Sequence, residues 1–242
     1  MLKIEKFVTP SPEQWEITIE GMRNAMNSWD KMDSHIYPED CQFDATFVLG
    51  ENDRGLAMRL NKGGSPHAKY RRMLPVHVTV NAPLYWWKEF ETYRIGVASN
   101  PSDIEFNSCS TMHKIHAKEF TLEDFSCDSL FTYDDSEFEE DLNRFIYGCS
   151  PMMPIGVLEV TIAELNFCRR KYLETKDMKW FHRMIQLLPS SYNQRRTVML
   201  NYQVLANIYP SRKNHKLQEW HDFCDWIKSL PYSELITGEE EE

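Results

Sequence analysis

The chain has 242 residues, of which 42% are hydrophobic and 26% charged, an ordinary composition for a globular protein. Its formal net charge is −10, which argues against binding of polymeric nucleic acid, because displacing counterions from a phosphate backbone needs clustered Lys and Arg. It contains no run of about 18 apolar residues, so no membrane span is expected.

In chain order, the opening MLKIEKFVTP has no apolar signal core, and secretion is not expected. SPEQ at 11–14 reads as a capping box: Ser11 caps, Pro12 fits the first turn and Gln14 reaches back, predicting a helix from 12 to about Trp29. CQFDATFVLGEND holds a short strand, and RGLAMRLNKGG a short helix stopped by Gly63 and Gly64. Leu74, Val76, Val78 and Val80 alternate with Pro75, His77, Thr79 and Asn81, which predicts a strand with one buried face and His77 on the other.

Pro83 then opens a helix in which Trp86 and Trp87 are core residues, followed abruptly by Lys88, Glu89, Glu91 and Arg94. VASNPSDIEFNSCS reads as a loop. Further helices are predicted at 137–147, 155–173, 177–187, 193–209 and 214–229. With no repeat and no linker, the expected architecture is one α+β domain over 1–242, a small mainly antiparallel sheet flanked by several long helices.

The six cysteines are scattered without a CxxC pair and read as reduced intracellular thiols, consistent with a cytoplasmic protein. Cys109, His113 and His116 have a spacing that suits one helical face, but no second ligand cluster accompanies them and no metal is expected. DDSEFEED and the terminal EEEE read as solvated acidic runs. Aromatics at 13% suit a filled core or a surface that stacks flat ligands.

Two segments resemble the flavin-dependent thymidylate synthases. One runs from His67 through APLYWWKEFETYRIG, where that family has a strand, an Ala-Pro, an apolar helix, an arginine-glutamine pair and an arginine-histidine-arginine triplet. Without gaps the pair falls on Lys88 and Glu89, and the triplet on Thr92, Tyr93 and Arg94. The next part of the family signature is best met by Asn107 and Ser110, with Ser108, Met112 and His113 replacing family residues. The second segment, 188–220, matches the C-terminal stretch of the family through Leu188-Pro189, Asn201, Asn207, Arg212 and Gln218, with Gln203 where the family has an arginine. Another family arginine falls on Ile185, with Arg183 nearby.

The resemblance implies reductive methylation of deoxyuridylate to thymidylate by a homotetramer, with FAD as cofactor and methylenetetrahydrofolate and NADPH as co-substrates. It implies that Arg212 activates the pyrimidine, a role suited to a planar, permanently charged guanidinium. It places Tyr93, Arg94, Asn201, Gln203 and Asn207 at the flavin. Lys88, Glu89, Ser110, Arg183 and His67 fall to the substrate, and for a nucleotide phosphate Arg94, Ser110 and either Arg183 or Lys114 are available. Taken singly, the charges after Trp87 are ordinary surface groups, and His67 is an exposed or structural histidine. The joint spacing of the C-terminal segment favours function. Two alternatives stand beside this reading: a related flavin-dependent modification of another pyrimidine nucleotide, and a non-catalytic nucleotide-binding protein on the same fold.

Overall fold

A computed structural model describes residues 2–38, 45–93, 104–130 and 154–239. Arg94, Cys41, Cys149, the acidic run 134–141 and the helix expected at 137–147 lie outside the described residues. In chain order the elements are β1 (Lys3–Val8), α1 (Pro12–Arg23), β2 (His35–Pro38), β3 (Ala45–Val48), α2 (Glu51–Lys62), β4 (Pro75–Pro83), α3 (Leu84–Phe90), β5 (Glu105–Ser108), α4 (Pro154–Thr175), α5 (Met178–Leu187), β6 (Asn193–Asn201), α6 (Tyr202–Arg212), α7 (Gln218–Lys228) and α8 (Glu234–Thr237). The class is α+β, as the sequence implies. Backbone contacts divide the chain into two compact units, Asn81–Lys88 with Ser108–Arg195, and Leu2–Val80 with Glu89–Asn107 and Arg196–Glu242.

The unit containing Ser108–Arg195 is built on the pair α4 and α5. Leu158, Leu165, Cys168 and Met184 from these helices close over Ile115, Phe120 and Phe125. Asn166, buried on α4, clamps the passing chain from both sides: its Oδ1 accepts from Phe120 N at 2.9 Å and its Nδ2 donates to Phe120 O at 2.8 Å. Both Phe120 backbone groups are thereby satisfied where water cannot reach them. Trp86 and Trp87 are core residues, as expected, at 0% and 1% exposure, and the Trp87 indole donates to Gln194 O at 2.8 Å.

The other unit carries β1 and most of β4, β6 and β5, which form one sheet in the order β1-β4-β6-β5; β2 and β3 form a separate antiparallel pair. The predicted alternation on β4 holds, with Leu74, Val76, Val78 and Val80 buried and His77 exposed. Thr79 departs from it, because its hydroxyl lies 3.0 Å from Thr197 Oγ1 of β6 and is buried there.

The capping box of α1 forms as read, with Gln14 N donating to Ser11 Oγ at 3.3 Å and Ser11 N to Gln14 Oε1 at 2.9 Å. The helix stops at Arg23 rather than near Trp29. Two short 3-10 turns follow, with Asn27 left-handed between them at φ 47°. The stop has a cause: the buried Arg23 guanidinium turns to Asp53, Nε to Oδ1 at 2.5 Å, and Nη1 donates to Ser28 O at 3.2 Å, drawing the chain out of the helix. Asp53 Oδ2 also accepts from Ser34 N at 2.8 Å, Ser34 Oγ at 2.6 Å and Asp33 N at 3.1 Å. Burial alone would raise this carboxyl, but the Ser34 hydroxyl and amide, Arg23 and the Asp33 amide together hold it below the usual carboxylate range.

Asp33 in turn caps α2 from outside, accepting from Asn52 N at 2.9 Å and Asp53 N at 3.1 Å. The approach is so close that a Cβ on Gly50 would lie 2.2 Å from Asp33 Cγ, which explains the glycine. At the other end α2 finishes at Gly63 and Gly64, the latter at φ +83°, as the sequence predicts.

Three expectations are corrected. Residues 193–201 are strand β6, not the start of a helix, and the helix begins at Tyr202. The helix expected at 214–229 begins only at Gln218. The segment read as a loop after Gly96 contains β5. The strand at 193–201 was hidden because its inward positions begin with Gln194 and Arg196 before Val198 and Leu200 restore an apolar face. Gln194 Nε2 donates to Cys109 O at 2.6 Å, so the polar group is satisfied rather than misplaced.

Candidate functional site

Strand β6 passes into α6 without a connecting loop. Asn201 ends the strand and caps the helix, its Oδ1 accepting from Val204 N at 3.0 Å. The next residue, Tyr202, donates from its backbone N to Leu74 O at 3.1 Å, tying the first helical residue to the segment leading into β4. Ten residues later Arg212 closes the helix, against its C-terminal dipole.

The Arg212 guanidinium meets the chain that leaves α3. Its Nε donates to Tyr93 Oη at 2.7 Å and its Nη1 to Glu89 Oε2 at 3.3 Å. Its plane carbon sits 4.5 Å from the Trp220 ring centroid and 5.3 Å from that of Tyr93. The Trp220 indole N–H donates to the same Glu89 oxygen at 2.6 Å. His215 Nε2 faces that oxygen too, at 3.7 Å. Leu217 N donates to His215 Nδ1 at 3.2 Å, so the neutral ring carries its proton on Nε2, toward Glu89. Phe90 stacks on Trp220 and packs edge-on against Phe223, which gives the cluster an aromatic floor.

Arg212, Trp220 and His215 all converge on Oε2. Among the described residues Glu89 Oε1 and Arg212 Nη2 receive no partner, and the Glu89 side chain is 37% exposed. The cluster therefore keeps one acceptor and one donor atom uncommitted on an ion pair held by an aromatic frame.

A second polar pair lies elsewhere on α6. Gln203 Nε2 donates to Asn207 Oδ1 at 3.0 Å, while Gln203 Oε1 is enclosed and has no hydrogen-bond partner. At roughly 100° per residue, Gln203 and Asn207 lie about 40° apart on the helix and Arg212 about 140° beyond Asn207. The amide pair and the arginine thus occupy different faces.

Of the residues singled out from sequence, Glu89, Tyr93 and Arg212 are brought together. Gln203 and Asn207 are joined to each other, and Asn201 is a helix cap. His67 is exposed in the turn after α2, its backbone N donating to Gly64 O at 3.0 Å. Lys88, Ser110 and Arg183 belong to the other unit. There Lys88 is exposed, Ser110 Oγ accepts from His113 N at 3.0 Å, and Arg183 stacks over Trp180 at 4.6 Å. Sequence reasoning missed Trp220 and His215. The only available signal was their position, eight and three residues after Arg212 in an aromatic-rich stretch, and a tryptophan in an amphipathic helix reads first as core.

A polar cleft of about 330 Å³ opens between α6 and α7, lined by Tyr209, Lys213, Asn214, His221, Cys224, Asp225 and Lys228. It contains none of the residues just described. Tyr209 Oη and Lys213 Nζ each bond Glu239 at 2.8 Å, so its polar groups are largely taken by the chain itself. The Glu89–Arg212 cluster, with unused hydrogen-bonding capacity, is the better candidate. No group of three or more His, Cys, Asp or Glu among the described residues is arranged to hold a metal, and no described helix is long and apolar enough to cross a membrane.

No protein-family profile and no curated protein matches the chain in sequence. Solved structures do match it in fold. One is the flavin-dependent thymidylate synthase ThyX from Helicobacter pylori complexed with FAD and dUMP, with a TM-score of 0.59 and 14% identity over 98% of this chain and 98% of that chain. Another is Thymidylate Synthase X from the same organism with FAD and dUMP, at a TM-score of 0.56 and 14% identity over 98% of this chain and 97% of that one. The likeness is one of fold across the whole length.

Proposed function

We propose that the chain is a flavin-dependent enzyme acting on a pyrimidine nucleotide, and that its reaction is the reductive methylation of deoxyuridylate. FAD is the cofactor, methylenetetrahydrofolate the one-carbon donor and NADPH the reductant. The chain acts as a single domain within a cytoplasmic homotetramer. The observation that carries the reading is the meeting of Arg212, Tyr93 and Glu89, three residues that the sequence resemblance also singles out. The full-length likeness in fold to synthases bound to FAD and dUMP supports it.

The residues present fit a flavin. Gln203 Oε1 is an enclosed acceptor lacking a donor, and the Asn207 side-chain nitrogen beside it is a donor. Together they complement the neighbouring N–H and carbonyl of an isoalloxazine edge, an arrangement that leaves no buried acceptor unsatisfied. A bound flavin supplies the hydride for reduction. The chain's own part is electrostatic. Arg212, braced by Tyr93 and Trp220, donates from Nη2 to the pyrimidine edge where negative charge develops, in a geometry set before the ligand arrives. Glu89 Oε1 accepts the neighbouring ring N–H and fixes the base in plane.

A test is release of tritium from C5-labelled deoxyuridylate. Arg212→Ala is expected to lower release on the order of 10²–10³-fold with flavin content unchanged, and Arg212→Lys to be nearly as poor, because an ammonium lacks the planar fork. Near-normal release by either variant overturns the role of Arg212. No release by the wild type overturns the reaction.

Glu89 stands where the resembled family has glutamine, and this favours one second reading. A carboxylate beside a guanidinium also complements the amino N–H and ring nitrogen of a cytosine. Deoxycytidylate binding tighter than deoxyuridylate in parallel titrations would select that substrate.

A further inference from the structure

Arg71, in the 3-10 turn between α2 and β4, is 7% exposed, yet no carboxylate among the described residues pairs with it. Its Nε is fully enclosed without a hydrogen-bond partner. The polar group beside it is the neutral Tyr70 hydroxyl, which itself donates to Asn61 Oδ1 at 2.8 Å. Burial pushes the guanidinium below its usual range, but arginine keeps its proton in proteins, so among the described residues no carboxylate balances its positive charge.

Such a charge is expensive to bury and is retained only where something repays it. The contrast with the other described buried arginine is direct. Arg23, equally enclosed, has the Asp53 carboxylate at 2.5 Å. The surroundings of Arg71 in sequence carry the same sign: residues 59–72 contain Arg59, Lys62, Lys69, Arg71 and Arg72 and no Asp or Glu, in a chain of net charge −10. Arg72 adds an ordered neighbour, its Nη2 donating to Ser65 Oγ at 3.0 Å.

We infer that Arg71 is the anchor of a phosphate-binding site. A single carboxylate would balance one guanidinium, whereas the run of cations around Arg71 suits a group bearing more than one negative charge and several acceptor oxygens. The inference stands apart from the flavin and pyrimidine reading, since none of those residues enters it.

Thermal unfolding of the full chain in inorganic phosphate and in pyrophosphate, against sodium chloride at matched ionic strength, tests the site by linkage. Both anions are expected to raise the midpoint above the chloride control, and acetate is not. Arg71→Met is expected to abolish that rise while leaving the anion-free midpoint equal to or above the wild type, because it removes an uncompensated charge and keeps the apolar stem. Arg71→Lys, with the charge but not the fork, is expected to keep only part of the rise. The proposal is overturned by a wild type indifferent to phosphate, by acetate acting as strongly as phosphate, or by Arg71→Met retaining the full rise. An anion-free midpoint that falls in both variants makes Arg71 a structural residue and overturns it as well.

Discussion

Trp220 and Arg212 reach the same oxygen of Glu89, the indole N–H at 2.6 Å and the guanidinium at 3.3 Å, while the guanidinium lies 4.5 Å over the indole ring. The three side chains form a closed triangle in which each orients the other two. Removing one corner leaves two groups mismatched, so the substitutions should not be additive.

Glu89→Ala is expected to lower stability by about 1 kcal/mol, the figure being small because the carboxylate is partly open to solvent. Glu89→Gln should cost less than half of that, since an amide oxygen still accepts from the indole. Urea midpoints of the two variants, alone and combined with Trp220→Phe, check both the order and the coupling. Equal losses in Glu89→Gln and Glu89→Ala would show that charge, not hydrogen-bond acceptance, holds the triangle.

Asp53 sets an acid limit on stability. Its carboxyl is depressed in the folded chain, below the value of about 3.9 it takes when unfolded. The stabilisation is therefore present above pH ~4, and it is lost as pH falls through the lower, folded value. Asp53→Asn should be less stable at pH 7 by about 3–5 kcal/mol, because Arg23 is left buried without its partner. It should also lose less on further acidification than the wild type. Parallel curves for the two proteins between pH 6 and 3 would refute the assignment.

Gly50 admits no side chain. In Gly50→Ala the new Cβ must displace Asp33, which caps α2. Strain and the lost cap together should cost about 2–4 kcal/mol. The effect should shrink only in part in an Asp33→Gly background, because the carboxylate is gone but the Asp33 backbone carbon still lies 2.6 Å from the new Cβ position. Calorimetric midpoints of the double cycle measure this directly.

Thiol reactivity should be ordered by burial. Cys109 is exposed, whereas burial raises the Cys168 thiol and pushes that of Cys224 to about 11. At pH 8 a thiol of that pKa is ionised to about one part in a thousand. Iodoacetamide should therefore label Cys109 well before Cys168 and Cys224, as peptide mapping of the native protein would show. Early labelling of Cys224 would mean that α7 opens readily.

Local patterns with a single cause were the legible ones. The Ser11–Gln14 capping box, the Val76–Val78–Val80 alternation, the Gly63–Gly64 stop and the long helix α4 each rest on residues a few positions apart. Where a distant partner decides, the sequence was silent. Arg23 ends α1 because Asp53 lies thirty positions away, and β1 is an edge strand whose Lys3, Glu5 and Lys6 hide its pairing with β4. In the candidate site, the charged side chains stood out and the aromatic that orients them did not.

The direct passage from β6 into α6 has a consequence for how this chain can vary. With Asn201 serving both elements and Tyr202 already bonded to Leu74, no spare residue absorbs a change of length. One inserted residue after Asn201 would turn every α6 side chain by about 100° about the helix axis. Arg212 would swing off Glu89, and Gln203 and Asn207 would face new surroundings. The stretch from Gln194 to Arg212 is thus geared to the sheet like a key cut to one depth: substitutions can be absorbed residue by residue, but insertions and deletions must fall elsewhere in the chain.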